Sequence, residues 1–143
     1  MQHDSTLHSL IQNADGFPCG QLEITFENKP FTFEPRTRVV FGAGTFSQLG
    51  ELAQSIGGEN VLLVSDPGIV QAGHTQRGID LLVAAGLRVT TFEEFTPNPT
   101  TDDVEQGLAV ARSAKIDLIV GLGGGSSMDC AKGINFLLTN GGN

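Results

Sequence analysis

Basic residues are scarce in this chain. Eight Lys and Arg stand against sixteen Asp and Glu, leaving a net charge of −8 at neutral pH. A nucleic-acid partner is not expected, because neutralising phosphates needs a basic face. Nothing before Lys29 is Lys or Arg. The positive region of a secretory signal and the arginines of a mitochondrial presequence are therefore missing, and the expected compartment is cytoplasmic. Cysteines number two, Cys19 and Cys130, without a C-x-x-C pairing, a pattern of free thiols rather than a disulfide framework. No apolar run approaches the ~20 residues of a membrane helix, so no membrane role is expected. Internal repeats, low-complexity tracts and internal linkers are also absent. One domain is expected over residues 21–143, preceded by a polar, aperiodic tail over 1–20 that reads as disordered.

Glycine is what the chain has in quantity, 19 of 143 residues, and it clusters where elements would begin or end. Leu22, Ile24 and Phe26, then Phe31 and Phe33, alternate with polar residues around a turn-like Glu27–Pro30 and predict an amino-terminal β-hairpin. Arg38–Phe41 reads as a short strand. Thr45 and Gln48 form a T-x-x-Q capping box opening a helix whose face is Phe46, Leu49, Leu52, Ala53 and Ile56. Residues 60–65 (NVLLVS) predict a buried parallel strand. A helical stretch with a break follows to Gly86, with Ile79, Leu82 and Val83 toward the core. Leu87–Phe92 is a strand, Thr100 with Asp103 caps a helix, Ile116–Val120 is a strand, and Ser126–Leu138 is a helix with Ser126 as N-cap and Asp129 at N3. Strands alternating with capped helices predict an α/β fold with a mostly parallel sheet and flanking helices.

In such a sheet ligands bind outside the carboxyl ends of the strands, and two glycine-rich turns compete there. Gly42-Ala-Gly-Thr-Phe-Ser47 has Asp66 after the next strand and nearly matches a dinucleotide fingerprint, with Ser47 in place of the third glycine. Gly121-Leu-Gly-Gly-Gly-Ser126 opens a helix whose first amides would face an anion. Three consecutive glycines cost backbone entropy on folding, which makes sense if backbone must approach something closely. Each turn also has a plain reading as a connection into a capped helix, and Asp66-Pro-Gly68 is equally a stock turn. If a dinucleotide binds, the Asp66 carboxylate would accept from ribose hydroxyls and repel a 2′-phosphate.

Phe33–Phe46 (FEPRTRVVFGAGTF), Val64-Ser-Asp-Pro-Gly68, Thr96-Pro-Asn-Pro-Thr100 and Gly123-Gly-Gly-Ser-Ser-Met-Asp-Cys-Ala-Lys132 occur in this order. Together they resemble the amino-terminal domain of the iron-containing alcohol dehydrogenases, in the dehydroquinate synthase-like superfamily. The resemblance implies a Rossmann-like domain over residues 21–143 and an oxidoreductase moving hydride between an alcohol or aldehyde and NAD(P); the Asp66 carboxylate makes NAD the expected cofactor and disfavours NADP. It assigns pyrophosphate to Gly123, Gly124, Gly125, Ser126 and Ser127, the adenosine ribose to Asp66, the adenine side to Asn98, and the same cleft to Asp129. By the same resemblance Gly42–Ser47 is structural.

The family further implies Fe2+ or another divalent metal, held by an aspartate and three histidines of a helical carboxy-terminal domain; apolar faces that would meet that domain favour self-association or instability, and a homo-oligomer is expected. That domain is not expected within these residues, nor are catalytic or metal-ligating residues. His3 and His8 fall in the tail, and His74 has no carboxylate or histidine at useful spacing. Two alternatives remain open: a hydroxyacid–oxoacid transhydrogenase fragment using the same motifs, and a nucleotide-binding module without catalysis.

Overall fold

The computed structural model of the chain describes residues 37–141. The predicted tail and hairpin lie outside the described residues. The described elements belong to one compact unit, Val39–Asn143, centred on strand β1 (Asn60–Ser65). It pairs in parallel with β2 (Arg88–Phe92) on one side and β3 (Leu118–Leu122) on the other, giving the order β2-β1-β3. Five of the six β1 residues are buried, as expected of a continuous apolar run covered on both faces. Side chains alternate across the strand with a period of two. Leu62 and Val64 join one core with Phe92, Ala111, Cys130 and Ile134. Val61 and Leu63 join the opposite core with Ala53, Leu82 and Leu87.

Helices α4 (Thr101–Ser113) and α5 (Gly125–Asn140) cover the first face. Helices α1 (Leu49–Ile56) and α3 (His74–Ala84) cover the second, with the short α2 (Pro67–Gln71) leading into α3. This is the expected α/β arrangement of a parallel sheet with flanking helices, here on both faces. Helices α4 and α5 approach closely because they meet at glycines. A Cβ on Gly133 would lie 2.9 Å from Val104 Cγ2, and one on Gly107 would run into the Ile134 side chain. At the amino end of the sheet, Asp117 accepts from the Glu59 and Asn60 amides at 2.9 and 2.8 Å. It ties the start of β1 to the approach to β3.

Several local expectations are corrected. Residues 38–41 form no strand: no strand pairs with them among the described residues, and the Phe41 and Val39 side chains are exposed. The Thr45/Gln48 capping box is not made. Thr45 Oγ1 bonds instead to the Gly42 carbonyl, and a 3₁₀ turn over Thr45–Gln48 precedes α1. Ile56 and Val83 lie on solvent faces of their helices. Strand β3 runs two residues further than predicted, because Gly121 and Leu122 still pair with Val64 and Ser65. The N-cap of α5 is Gly124 rather than Ser126, which places Asp129 in the second turn, beyond N3.

The strand order places a divergence in the middle of the sheet. From β1 the chain turns to α2 and α3 on one face, whereas from β3 it turns to α5 on the other. The carboxyl ends of β1 and β3 therefore flank a topological switch point, where open α/β sheets hold their ligands.

Candidate functional site

Beyond the end of β1, Asp66 adopts an extended conformation as N-cap of α2. Its Oδ1 accepts from the Gly68 and Ile69 amides at 3.0 and 3.2 Å. Its Oδ2 accepts the Ser127 hydroxyl at 2.9 Å, and its own amide donates back to Ser127 Oγ at 3.1 Å. Asp66 and Ser127 are thus joined twice, and Ser127 is fully buried. The Ser127 hydroxyl is the main cause, ahead of the two α2 amides, that the Asp66 carboxyl titrates below its ordinary 3.8. A second link lies just beneath, where Ser65 Oγ donates to the Leu122 carbonyl at 3.1 Å and meets Thr75 Oγ1 at 2.7 Å. The two strand ends are locked to each other.

The three consecutive glycines prove to have different reasons. Gly123 takes φ +145°, and a Cβ there would fall 2.5 Å from Ser127 Oγ and 2.6 Å from Asp66 Oδ2. Only glycine lets the chain pass over the Asp66–Ser127 pair. Gly124 and Gly125 are neither crowded nor in the left-handed region, since a Cβ at either would meet nothing within 4 Å. Nothing inside the fold requires glycine at these two positions. They border open space at the start of a 16-residue helix with no side-chain cap. Its first intrahelical bond runs from the Met128 amide to the Gly124 carbonyl at 3.1 Å. The amides of Gly125, Ser126 and Ser127 precede it, so the positive end of the helix dipole faces outward.

Asn98 reaches the same place through its backbone. It sits at φ +57°, a conformation asparagine tolerates, and its amide donates to Ser126 Oγ at 3.2 Å. Asp103 holds this loop in place. Its Oδ2 accepts from Thr96 Oγ1 at 3.0 Å, the Thr100 amide at 2.8 Å and Thr100 Oγ1 at 2.9 Å. Bonding led by the Thr100 amide keeps the Asp103 carboxyl below its ordinary value. The capping box of α4 thus doubles as the anchor of the Thr96–Thr100 loop. The capping spacing was visible in sequence, but the grip on Thr96 was not. Asp129 stands apart on an exposed face, 3.4 Å from Lys132.

The other glycine turn is closed on itself. Thr45 Oγ1 bonds to the Gly42 carbonyl at 3.0 Å and Ser47 Oγ to the Gly44 carbonyl at 2.9 Å. Its two hydroxyls are spent locally. The structure thus brings Asp66, Asn98, Gly123, Gly124, Gly125, Ser126 and Ser127 together and leaves Asp129 at the margin. Among the described residues no group of three or more His, Cys, Asp or Glu could hold a metal ion, so the divalent ion implied by the resemblance has no ligand set there. Burial, with a smaller contribution from the Asp103 charge, pushes the Cys130 thiol up to about 11, which leaves it unreactive. No helix among the described residues is long and apolar enough to cross a membrane.

A family model described as iron-containing alcohol dehydrogenase matches residues 35–143. Alcohol dehydrogenase 4 of Schizosaccharomyces pombe is 39% identical over 103 residues, covering 72% of this chain and 24% of that protein. The 1,3-propanediol dehydrogenase of Klebsiella pneumoniae is 40% identical over 102 residues, covering 70% of this chain and 26% of its own. Among solved structures, the sulfoacetaldehyde reductase of Bifidobacterium kashiwanohense in complex with NAD+ superposes with a TM-score of 0.67 at 27% identity, over 78% of this chain and 29% of that one. The chain thus spans about a quarter of the length of the curated relatives it matches. Motifs, fold and matches agree, and the chain belongs to the iron-containing alcohol dehydrogenase family.

Proposed function

We propose that residues 21–143 form the dinucleotide-binding domain of a metal-dependent alcohol dehydrogenase that prefers NAD to NADP. The observation that carries this reading is the pair Gly124 and Gly125, glycines with no internal cause, beside an uncapped helix start at the switch point. A pyrophosphate there would meet the Gly125, Ser126 and Ser127 amides without needing a basic side chain. This suits a chain of net charge −8.

Asp66 would face the adenosine ribose. Three of the roughly four acceptor positions of a carboxylate are taken by Gly68, Ile69 and Ser127. One position on Oδ2 is left for a ribose hydroxyl. The carboxylate stays ionised because its charged form is so well bonded, and it would repel a 2′-phosphate. Asn98 would border the adenine side, its loop fixed through Asp103. Asp129, at the margin, would contribute to the same cleft.

Bound there, NAD supplies the hydride acceptor, and the residues of this chain bind and orient it. The alcohol or aldehyde, and the iron or other divalent metal that would polarise its oxygen, belong to the whole enzyme. Relatives named for 1,3-propanediol and lactaldehyde support a small substrate of this kind. Exposed Ile56 and Phe136 support self-association, as a homo-oligomer. Calorimetric titration of the chain with NAD and with NADP tests the reading. Binding of NAD with at least several-fold preference over NADP is expected; equal or tighter NADP binding would remove the role given to Asp66.

A further inference from the structure

The geometry points to Ser127 as a specificity-determining positioning residue: its buried hydroxyl fixes the Asp66 carboxylate in the orientation that selects NAD, and does not itself hold pyrophosphate. The proposal rests on the dinucleotide reading above. Ser127 is fully buried. Its Oγ donates to Asp66 Oδ2 at 2.9 Å and accepts the Asp66 amide at 3.1 Å. A serine hydroxyl has one proton to give, and here it goes to the carboxylate. The open, ligand-facing side of the cradle is formed by Gly124 and Gly125, whereas Ser127 Oγ lies on the inner side, beneath Gly123.

Three bonds hold Asp66. The two at Oδ1 come from α2 amides and fix one oxygen only. Rotation about the bond to the carboxyl carbon carries both oxygens together, and at Oδ1 only these bonds of 3.0 and 3.2 Å resist it. The Ser127 hydroxyl, the shortest of the three bonds at 2.9 Å, clamps the plane from its other oxygen, so the one free acceptor position has a fixed direction. No other hydrogen bond or ion pair to this carboxylate is present among the described residues. The same contact explains the first of the three consecutive glycines: Gly123 has no Cβ because a Cβ would displace both partners. The pair is therefore built into the turn, 61 residues apart in sequence.

The test is Ser127→Ala, titrated with NAD and NADP alongside the wild type. NAD affinity is expected to fall roughly tenfold, about the effect of one charge-assisted hydrogen bond, while NADP affinity is unchanged or rises. In an Asp66→Ala background the same substitution should no longer alter the NAD-to-NADP ratio. An equal fall for both dinucleotides would overturn the proposal, because it would place the hydroxyl on the pyrophosphate they share. Persistence of the full effect without Asp66 would overturn it too. A separate readout needs no ligand: the Asp66 carboxyl pKa, followed by NMR, should rise in Ser127→Ala, and an unchanged value contradicts the inference. If Ser127→Ala does not fold, Ser127→Cys, with its weaker thiol donor in a similar volume, carries the same comparisons. A wild-type chain that binds neither dinucleotide would overturn the binding reading, and the carboxyl titration would still decide whether Ser127 holds Asp66.

Discussion

Replacing Gly125 and Gly123 separately by alanine should move stability in opposite directions. Gly125 is the first residue of α5, outside the left-handed region, and its Cβ would stand in open space. Alanine there removes conformational freedom from the unfolded chain at no steric cost, a gain of roughly 0.4–1 kcal/mol, or a few degrees in Tm. Gly123 carries φ +145°, a region that costs a residue with a Cβ about 1–3 kcal/mol. Its Cβ would also force apart Ser127 Oγ and Asp66 Oδ2, forfeiting a charge-assisted bond of about 1.5–3 kcal/mol. Gly123→Ala should therefore lose roughly 2.5–6 kcal/mol, a large part of the 5–15 kcal/mol typical of a folded protein. Urea unfolding of the two variants beside the wild type gives both numbers. Gly125→Leu, titrated with NAD, completes the comparison: it should fold normally and bind NAD poorly, since its side chain fills the cradle. A Gly125→Ala chain as destabilised as Gly123→Ala would refute the assignment of separate reasons to glycines of one run.

Other expectations follow from the same contacts. Thr100→Ala removes the N-cap of α4 and one support of the Thr96–Thr100 loop, and should cost about 1 kcal/mol in urea unfolding; an unchanged midpoint would contradict the capping role. Asp66, Asp103 and Asp117 all titrate below their ordinary 3.8, led by bonds from Ser127, the Thr100 amide and the Asn60 amide respectively. Unfolding returns each to its ordinary value and takes up protons. Their contribution is therefore complete above about pH 5, starts to shrink as the unfolded carboxyls begin to protonate, and is lost as pH falls through the lowered folded values. The urea midpoint should drop between about pH 5 and about pH 3, and a flat profile across that window would count against these three carboxylates.

Strand β1 could be read almost to the residue, because an apolar run covered on both faces leaves a continuous signal. The capping box of α4 was equally plain, being a local pattern of two residues. Where the chain departs from expectation, a longer-range contact decides. Glycine suggested an end to β3 at Val120, yet Gly121 and Leu122 stay in the sheet because β1 offers them partners as far as Ser65. Serine suggested the cap of α5 at Ser126, yet that hydroxyl accepts the Asn98 amide and glycine takes the extended cap position. Residues 38–41 carry a strand-like pattern without a partner strand among the described residues. Motif resemblance named Asp66 and Ser127 as site residues, but no local pattern could show that they touch, nor that Gly123 is crowded while its two neighbours are open.

The central claim, that the start of α5 is the dinucleotide cradle, is tested most directly by NMR of the 143-residue chain as NAD is added. The amide resonances of Gly124, Gly125, Ser126 and Ser127 should show the largest shifts, with smaller ones at Asp66 and Asn98, while those of Gly42–Ser47 stay in place. Shifts centred on Gly42–Ser47, with the start of α5 unmoved, would contradict it.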